Sequence, residues 1–384
     1  MDKLLNKYID NNKQLYLPFD EYKKMDKYKL VTTIIKKIKD KKIDFPYKKY
    51  FVDDPNIIFK LLINHKMTYD TNEAPPFDEV FNSDKYGTML ILDEDYKIDL
   101  LSDIFQENIR IRANKKNKAS PLQDWINRSS KIVIENIIKN KYDINPENLR
   151  EKLYELKGNQ LECTQFKPTV AKELYNSFNS INVLDFSAGW GDRLLGAIAS
   201  KSVESYTAFD PNKALKKGHD SMISTFCPLN KKKPENFKIE YIGFENANLN
   251  DKKFDTIFTS PPFFDFEVYS QDKDQSILLH PTFISWIKDF LFKSIDKCWD
   301  VLTENGIFSI YIGDTPGSNP TIPMNIYIHE KFKDSEYLGS TCYAQLGKNN
   351  HIGKRRYIFI WKKNKNVIKK SLKYMEKDYP DIFN

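Results

Sequence analysis

Two short stretches of the 384-residue chain concentrate the residue types and spacings that can do chemistry. The first, FDTIFTSPPFFDF, ends an apolar run in Thr259, Ser260, Pro261, Pro262, Phe263 and Phe264. Neither proline donates a hydrogen bond, and each fixes its own φ near about −65°. A plain turn is more readily made by Gly, Asn or Asp. The pattern therefore specifies a rigid loop that presents an outward carbonyl and an aromatic ring at a strand end. The second stretch, VLDFSAGWGDRLLGA, passes from a strand through Asp185, Ser187, Gly189 and Gly191 into a helix. Glycines at such a turn let the backbone bend sharply and lie against a ligand with no side chain between. Taken alone, that signal leaves dinucleotide and phosphate ligands open, and a tight turn with no ligand as well. Asp210, 25 positions after Asp185, closes the next β-rich run in AFDPN. A carboxylate at that strand end can accept hydrogen bonds from both hydroxyls of a ribose; the alternative is a helix N-cap before PNKALKKG.

These residues work together only if the chain brings several strand ends to one edge. From about residue 160, short β-rich runs alternate with helix-length segments: INVLDFS, SYTAFD, FKIEYIG, FDTIFTS and GIFSIYIGD. That rhythm predicts a mainly parallel sheet with helices on both faces. The last two runs, YLGSTCYAQL and RRYIFIW, lie about ten residues apart and read as an antiparallel hairpin closing the sheet. Upstream, YKLVTTIIKKIK over 28–39 places apolar residues at helical spacing. GTMLILDEDYKIDLLS reads as a hairpin, with strands Thr88–Leu92 and Lys97–Leu101 around an acidic turn. Ser120 followed by Pro121 supplies an N-cap and a first-turn proline. The organisation expected is an accessory N-terminal domain of mixed α and β structure over 1–160, a catalytic domain over 161–364 and a charged tail over 365–384.

Composition excludes several classes. Hydrophobic and aromatic contents of 40% and 14% fit a folded chain rather than a disordered one. No apolar run approaches the roughly 18 residues of a membrane span, and the N-terminus has no apolar signal core. The four cysteines are scattered without a CxxC pair and the five histidines without an HExxH, so buried thiols in a reducing intracellular setting and no metal site are expected. Net charge is +7, and residues 1–50 alone hold 14 Lys against 7 acidic residues. That asymmetry is compatible with a polyanionic partner. Only seven of the 60 basic residues are Arg, a bias an AT-rich genome imposes, so a solvated helical face is the competing reading.

The motifs, in this order, resemble class I S-adenosylmethionine (SAM)-dependent aminomethyltransferases over about residues 160–362. The resemblance implies a Rossmann-like α/β fold with a seven-strand sheet. DFSAGWG is similar to the family's DxGxGxG, with Ser187 in place of the first glycine. It implies that Asp185, Ser187, Gly189, Gly191, Asp210 and Glu245 (or Asn246) hold the cofactor. TQFKP looks like the segment over its methionine end, with Thr164, Phe166 and Lys167 as candidates and Lys167 able to pair with the cofactor carboxylate. TSPPFF resembles the (Asp, Asn or Ser)-Pro-Pro-(Tyr or Phe) motif of enzymes that methylate planar, conjugated nitrogens. Ser260 Oγ and the Pro261 carbonyl would accept from the amine, Pro261 and Pro262 would hold the loop, and Phe263 would stack on the base. Asp265, Glu267 and Tyr269 fall in the loop expected over the target. The run SPPFFDFEVYSQDKDQS also looks like methyltransferases of phage and giant-virus type.

The function so implied is methyl transfer from SAM to the exocyclic amine of adenine or cytosine, in DNA slightly ahead of RNA. A protein glutamine amide is a rival substrate, and a catalytically silent nucleic-acid-binding scaffold is a rival role. A polymer substrate needs a holder: Arg110, Arg112, Lys115, Lys116 and Lys118, near Trp125, form a basic and aromatic cluster suited to backbone contact and stacking. A solvated loop beside a core tryptophan accounts for the same residues.

Overall fold

Strands that lie inside an α/β sheet are buried on both faces, so they read as continuous apolar runs rather than alternations. Val183, Leu184 and Asp185, and likewise Thr256 to Thr259, are buried without a break. The computed structural model describes residues 1–70, 87–158, 162–249, 252–369 and 375–383. It assembles these runs into one sheet with nine strands among the described residues. They are β1 (Thr68–Asp70), β2 (Thr88–Ile91), β3 (Asn182–Asp185), β4 (Ser205–Phe209), β5 (Phe237–Glu240), β6 (Phe254–Thr259), β7 (Leu302–Tyr311), β8 (Ser335–Gln345) and β9 (Arg356–Lys363). Their order is β1-β2-β8-β9-β7-β6-β3-β4-β5.

Strands β3 to β7 run parallel to one another. β9 is antiparallel to both β7 and β8, so the expected closing hairpin is present. These seven strands form the α/β sheet that the sequence implies. The order reverses beside β3, with β4 and β5 laid to one side and β6 and β7 to the other. Crevices outside the carboxyl ends of such strands are where open α/β sheets bind ligands. Asp185 ends β3 and Ser260 follows β6, so both motifs reach that edge.

The expected hairpin over 88–101 is corrected. β2 is a strand, but it pairs parallel to β8 and antiparallel to β1. Residues 93–99 then coil into helical turns rather than a second strand. The Asp95 carboxylate accepts the Leu92 N–H at 2.8 Å, which closes the first turn and turns the acidic segment into a helix start.

Two compact units result, Met1–Asp54 with Asp103–Thr164, and Pro55–Ser102 with Gln165–Asn384. A division falls at Thr164/Gln165, near the expected 160/161, but residues 55–102 join the sheet unit instead of the N-terminal one; residues 159–161 and part of the tail (370–374 and 384) lie outside the described residues. The first unit is built mainly of helices, including Lys27–Lys39, capped by Asp26, which accepts from the Lys29 N–H at 2.7 Å. Ser120 caps the helix that starts at Pro121, as expected. No helix among the described residues is long and apolar enough to cross a membrane. All four cysteines are buried and unbridged.

In the sheet unit, Lys172 is buried and points its ammonium at the C-terminal carbonyls of helix Pro55–Asn64. It donates to Leu62 and Ile63 at 2.8 Å and to His65 at 2.7 Å. Burial lowers its pKa to about 8. Carbonyls at a helix end need such donors when water is excluded. Lys172→Met should therefore cost about 1–3 kcal/mol in urea unfolding; an unchanged midpoint would show that solvent satisfies this helix end instead.

Candidate functional site

Asp185 leaves β3 fully buried, and five groups converge on its carboxylate. The Ser187 N–H donates at 3.1 Å, Arg193 Nε at 2.8 Å, Arg193 Nη2 at 3.3 Å, Tyr206 OH at 2.7 Å and Thr259 Oγ1 at 2.8 Å. Its lone pairs are committed to protein donors, so the expectation that Asp185 touches a cofactor is corrected. It positions the turn instead. Arg193 also donates to the Ser187 carbonyl, which ties the turn back to the following helix. Ser187 itself is half-buried.

Gly189 and Gly191 have φ of +57° and +96°. At Gly191 a Cβ would lie 2.7 Å from Met222 Sδ and 3.2 Å from His219 Cδ2, so side-chain-free backbone is required by space as well as by φ. His219 is fully buried, and burial lowers its pKa to about 4. Its Nε2 lies 2.9 Å from the Gly189 carbonyl and its Nδ1 3.0 Å from Tyr241 OH. A carbonyl only accepts, so the neutral ring carries its proton on Nε2 and accepts at Nδ1 from the tyrosine.

Asp210 is also buried, yet differs from Asp185 in kind. Its carboxylate accepts only backbone N–H groups, from Gly189 at 2.8 Å and Asn212 at 2.9 Å. Among the described residues no arginine or lysine forms an ion pair with it. Burial raises its pKa to about 6 against those hydrogen bonds. A buried carboxylate held against a glycine turn with unfilled acceptor capacity is suited to paired hydroxyl donors. Glu245 sits half-buried on the turn after β5, its carboxylate folded back over the Gly243 backbone. Lys297 fixes that turn by donating to the carbonyls of Phe244 (3.1 Å), Glu245 (2.5 Å) and Ala247 (3.0 Å).

The second motif lies at the end of β6, the strand next to β3. Ser260, Pro262 and Phe263 are half-buried and Pro261 is buried. Phe264 has φ of +51°, a strained conformation for a bulky side chain. Its ring is buried against Phe283 and Trp286 at 5.8 and 5.9 Å. The Phe266 N–H closes the turn on the Phe263 carbonyl at 3.2 Å. The two phenylalanines therefore part company. Phe264 anchors the loop in the core, while Phe263 packs edge-on to Tyr311 at 5.3 Å. Gly313 lies beside it, where a Cβ would stand 3.4 Å from the Phe263 ring.

The two loops meet through Tyr269, whose ring packs 5.8 Å from Trp190 in the glycine turn and whose hydroxyl donates to the buried Glu267 at 3.0 Å. Asp265 is half-buried beside them. Phe166 is buried among Phe258, Tyr311 and Tyr343, at 5.5, 5.4 and 5.7 Å, and supports the wall behind Phe263 rather than lying open. Lys167 is engaged with Asp99. Thr164 is exposed and falls in the other unit.

The expected nucleic-acid cluster divides. Trp125 is a core residue, 1% exposed and packed on Phe45 at 5.9 Å, so a stacking role for it is corrected. Arg110 is likewise buried, held by Asp103 through Nε at 2.8 Å and by Glu162 at 2.6 Å. It belongs to a buried network with Lys48, Glu107 and Arg150. Arg112, Lys116 and Lys118 are exposed and Lys115 is half-buried. Arg193, Tyr206, His219 and Tyr311 are the site residues that the sequence motifs missed. Only Arg193 left a local sign, in the first turn of the helix two positions after Gly191.

No family model matches the chain, and no curated protein matches it by sequence. Solved structures that it resembles include an rRNA methylase from Streptococcus thermophilus, at 13% identity over 53% of this chain and 99% of that one, with a TM-score of 0.33. A SAM-dependent O-methyltransferase from Thermotoga maritima shares 14% over 54% of this chain and 69% of that one, with a TM-score of 0.36. The N-methyltransferase NodS from Bradyrhizobium japonicum, in complex with S-adenosyl-l-homocysteine, shares 11% over 52% and 86%, with a TM-score of 0.33. Overlaps this loose transfer no residue roles to the present chain.

Gly191→Ala should cost about 1–3 kcal/mol of stability, combining positive-φ strain with the overlap on Met222. Adding Met222→Ala should relieve the overlap but not the backbone strain. Full recovery of the unfolding midpoint in the double variant would show that φ at this position carries no cost.

Proposed function

We propose that this chain is a SAM-dependent methyltransferase that transfers a methyl group to the exocyclic amine of a nucleobase, adenine N6 or cytosine N4. The observation that carries the reading is a juxtaposition. A buried carboxylate without a cationic partner, Asp210, faces a glycine turn, and at the end of the neighbouring strand a proline-stiffened loop offers Ser260 and Phe263. The first arrangement suits the ribose of a nucleoside; the second suits a flat, conjugated amine.

In this reading SAM supplies an electrophilic methyl and leaves as a neutral sulfide. Asp210 accepts from its ribose hydroxyls, and the backbone of Gly189 and Gly191 lies against it. Glu245, on the turn after β5, would be the residue to approach the adenine. Ser260 Oγ and the Pro261 carbonyl would accept hydrogen bonds from the two amine N–H groups, which draws the nitrogen lone pair out of ring conjugation and toward the methyl, and the proton shed by the methylated nitrogen would pass to solvent. Pro261 and Pro262 fix those acceptors in advance, so little reorganisation accompanies the reaction. Phe263 holds the base face, flipped from its stack. Lys167 would have to exchange Asp99 for the cofactor carboxylate. A DNA substrate is preferred slightly to RNA, and an origin of phage or giant-virus type fits the lysine-rich, arginine-poor composition.

Purified protein with tritiated SAM and separate pools of DNA, RNA and protein tests the reaction. Label should be recovered as N6-methyladenine or N4-methylcytosine. Label in protein glutamine, or SAM binding without transfer to any pool, would overturn the base assignment.

Asp210 adds a pH dependence. Its folded pKa is raised, so the neutral acid is favoured below about 6, and only the ionised form offers both oxygens to hydroxyl donors. SAM affinity by calorimetry should therefore fall as pH drops through 6, approaching about tenfold per unit relative to Asp210→Asn. The variant should bind weakly at every pH. A parallel pair of profiles would remove Asp210 from the ribose site.

Ser260→Ala and Phe263→Ala should leave SAM affinity within about twofold. Loss of a preorganised acceptor should lower kcat on the order of 10²-fold, and loss of the stacking ring should weaken substrate binding by about 1–3 kcal/mol. Retained turnover in both would show the target pocket lies elsewhere.

A further inference from the structure

The loop joining β8 to β9, LGKNNHIGKRRY, contains Lys348, His351, Lys354, Arg355 and Arg356 and no acidic residue. Its placement follows from register. Thr259 at the end of β6 pairs with Ile310 of β7, and Tyr311 at the end of β7 pairs with Ile358 of β9. Arg355 and Arg356 therefore enter β9 at the same sheet edge from which Ser260 and Phe263 leave β6. The loop is built rather than slack. Leu346 bridges Ile352, the Gly347 N–H donates to the His351 carbonyl at 2.8 Å, and the Gly353 N–H donates to the Gln345 carbonyl at 2.9 Å.

A contact chain links it to the target loop. The Arg356 guanidinium stands 5.6 Å from the Tyr343 ring centre, Tyr343 lies 5.6 Å from Tyr311, and Tyr311 lies 5.3 Å from Phe263. Lys348, His351 and Lys354 are exposed at the loop's crest.

Composition makes the two arginines informative. Lysine is abundant throughout the chain, but only seven residues are Arg. Of these, Arg110, Arg150 and Arg193 are buried, whereas Arg355 and Arg356 are half-buried. Two of the remaining four are adjacent, at this edge. The surrounding unit gives no general positive background: the helical unit holds 26 Lys and Arg against 18 Asp and Glu, which is +8 of the chain's +7, so the sheet unit is −1. A guanidinium presents a planar fork that matches a phosphate, which a lysine does not.

We propose that the β8–β9 loop grips the phosphodiester backbone of a nucleic-acid substrate, with Arg355 and Arg356 on the phosphates flanking the base that Phe263 receives and Lys348 and Lys354 on those further out. This rests on the methyl-transfer reading for the base, and it favours a polynucleotide over a protein amide. The direction of the strand also follows. On the far side of β8 the edge turns acidic, where Asp93 accepts from Gln345 at 3.4 Å and Glu94 follows it. The polymer therefore runs from the loop toward β7 and β6, and not across β2.

The test uses full-length protein and fluorescein-labelled 20-nucleotide probes of one sequence, as single-stranded DNA, single-stranded RNA and duplex DNA. Anisotropy is read over a salt series, and SAM calorimetry is run on the same samples. Arg355→Ala/Arg356→Ala should weaken binding at least tenfold and lower the salt slope by about 0.7 per lost contact on a single strand or 0.9 on duplex. Lys348→Ala/Lys354→Ala, with exposed side chains, should lower the slope while SAM affinity stays unchanged, which excludes misfolding. Arg355→Lys/Arg356→Lys should keep most of the slope but lose affinity. Unchanged slopes in the alanine variants, no probe binding by the wild type, or equal competition by poly-glutamate would each overturn the proposal. Its failure is separable from that of the wider reading: SAM bound without probe affinity sinks this loop alone, whereas loop-dependent probe binding without SAM affinity sinks the methyl-transfer reading.

Discussion

The buried carboxylate of Asp185 is the constraint on which the sheet edge depends. Five donors from four parts of the chain end on its two oxygens: the turn after β3, the helix that follows it, the second residue of β4 and the last residue of β6. The Tyr206 and Thr259 hydroxyls are buried, and a buried hydroxyl without a partner costs about 1–3 kcal/mol. Satisfying them at one point fixes the ends of β3 and β6 and the start of β4 relative to one another. Thr259 sits directly before Ser260, so the same carboxylate that shapes the glycine turn also sets where the second loop begins. Its role is geometric, which is why it can be wholly inaccessible.

The two buried aspartates divide the work. Asp185 is paired with Arg193 and saturated, whereas Asp210 accepts from two backbone N–H groups and burial raises its pKa to about 6. The same logic applies to Phe264. A phenylalanine at positive φ is costly, of order 1–3 kcal/mol, and its burial against Trp286 and Phe283 offsets that cost. What the strain achieves is a reversal after Pro262 that sends consecutive rings in different directions. A loop needing only to turn would place glycine there.

Much of this edge was legible because its signals are local. Glycines at positive φ, a serine–proline helix start and two prolines after an apolar run each act through their own backbone, so they can be read without knowing what lies opposite. The failures have the opposite character. Tyr206, His219 and Tyr311 reach the site from 20 or more residues away, and nothing in their neighbourhood announces it. Arg110 and Trp125 looked like a surface pair because they sit among lysines, but helical spacing puts Arg110 on the face of Asp103, Gln106 and Glu107, all buried. Acidic residues at i−3 and i−7 were the available sign of an internal ion pair. The misread strand over 97–101 fell to capping: a single Asp95 side chain bonded to the Leu92 N–H outweighs a run of mixed β propensity.

Charge carries the same lesson at larger scale. The excess of basic residues lies wholly in the helical unit, and counting it said little, because lysine is the residue this composition supplies most freely. Arginine is scarce, so its positions discriminate where lysine's do not. Three arginines are spent inside the fold neutralising carboxylates, and the adjacent pair at the start of β9 stands where register delivers it beside the two loops. Net charge alone singles out the helical unit. The identity of the cation, and the strand that holds it, point to the sheet edge already defined by Asp185.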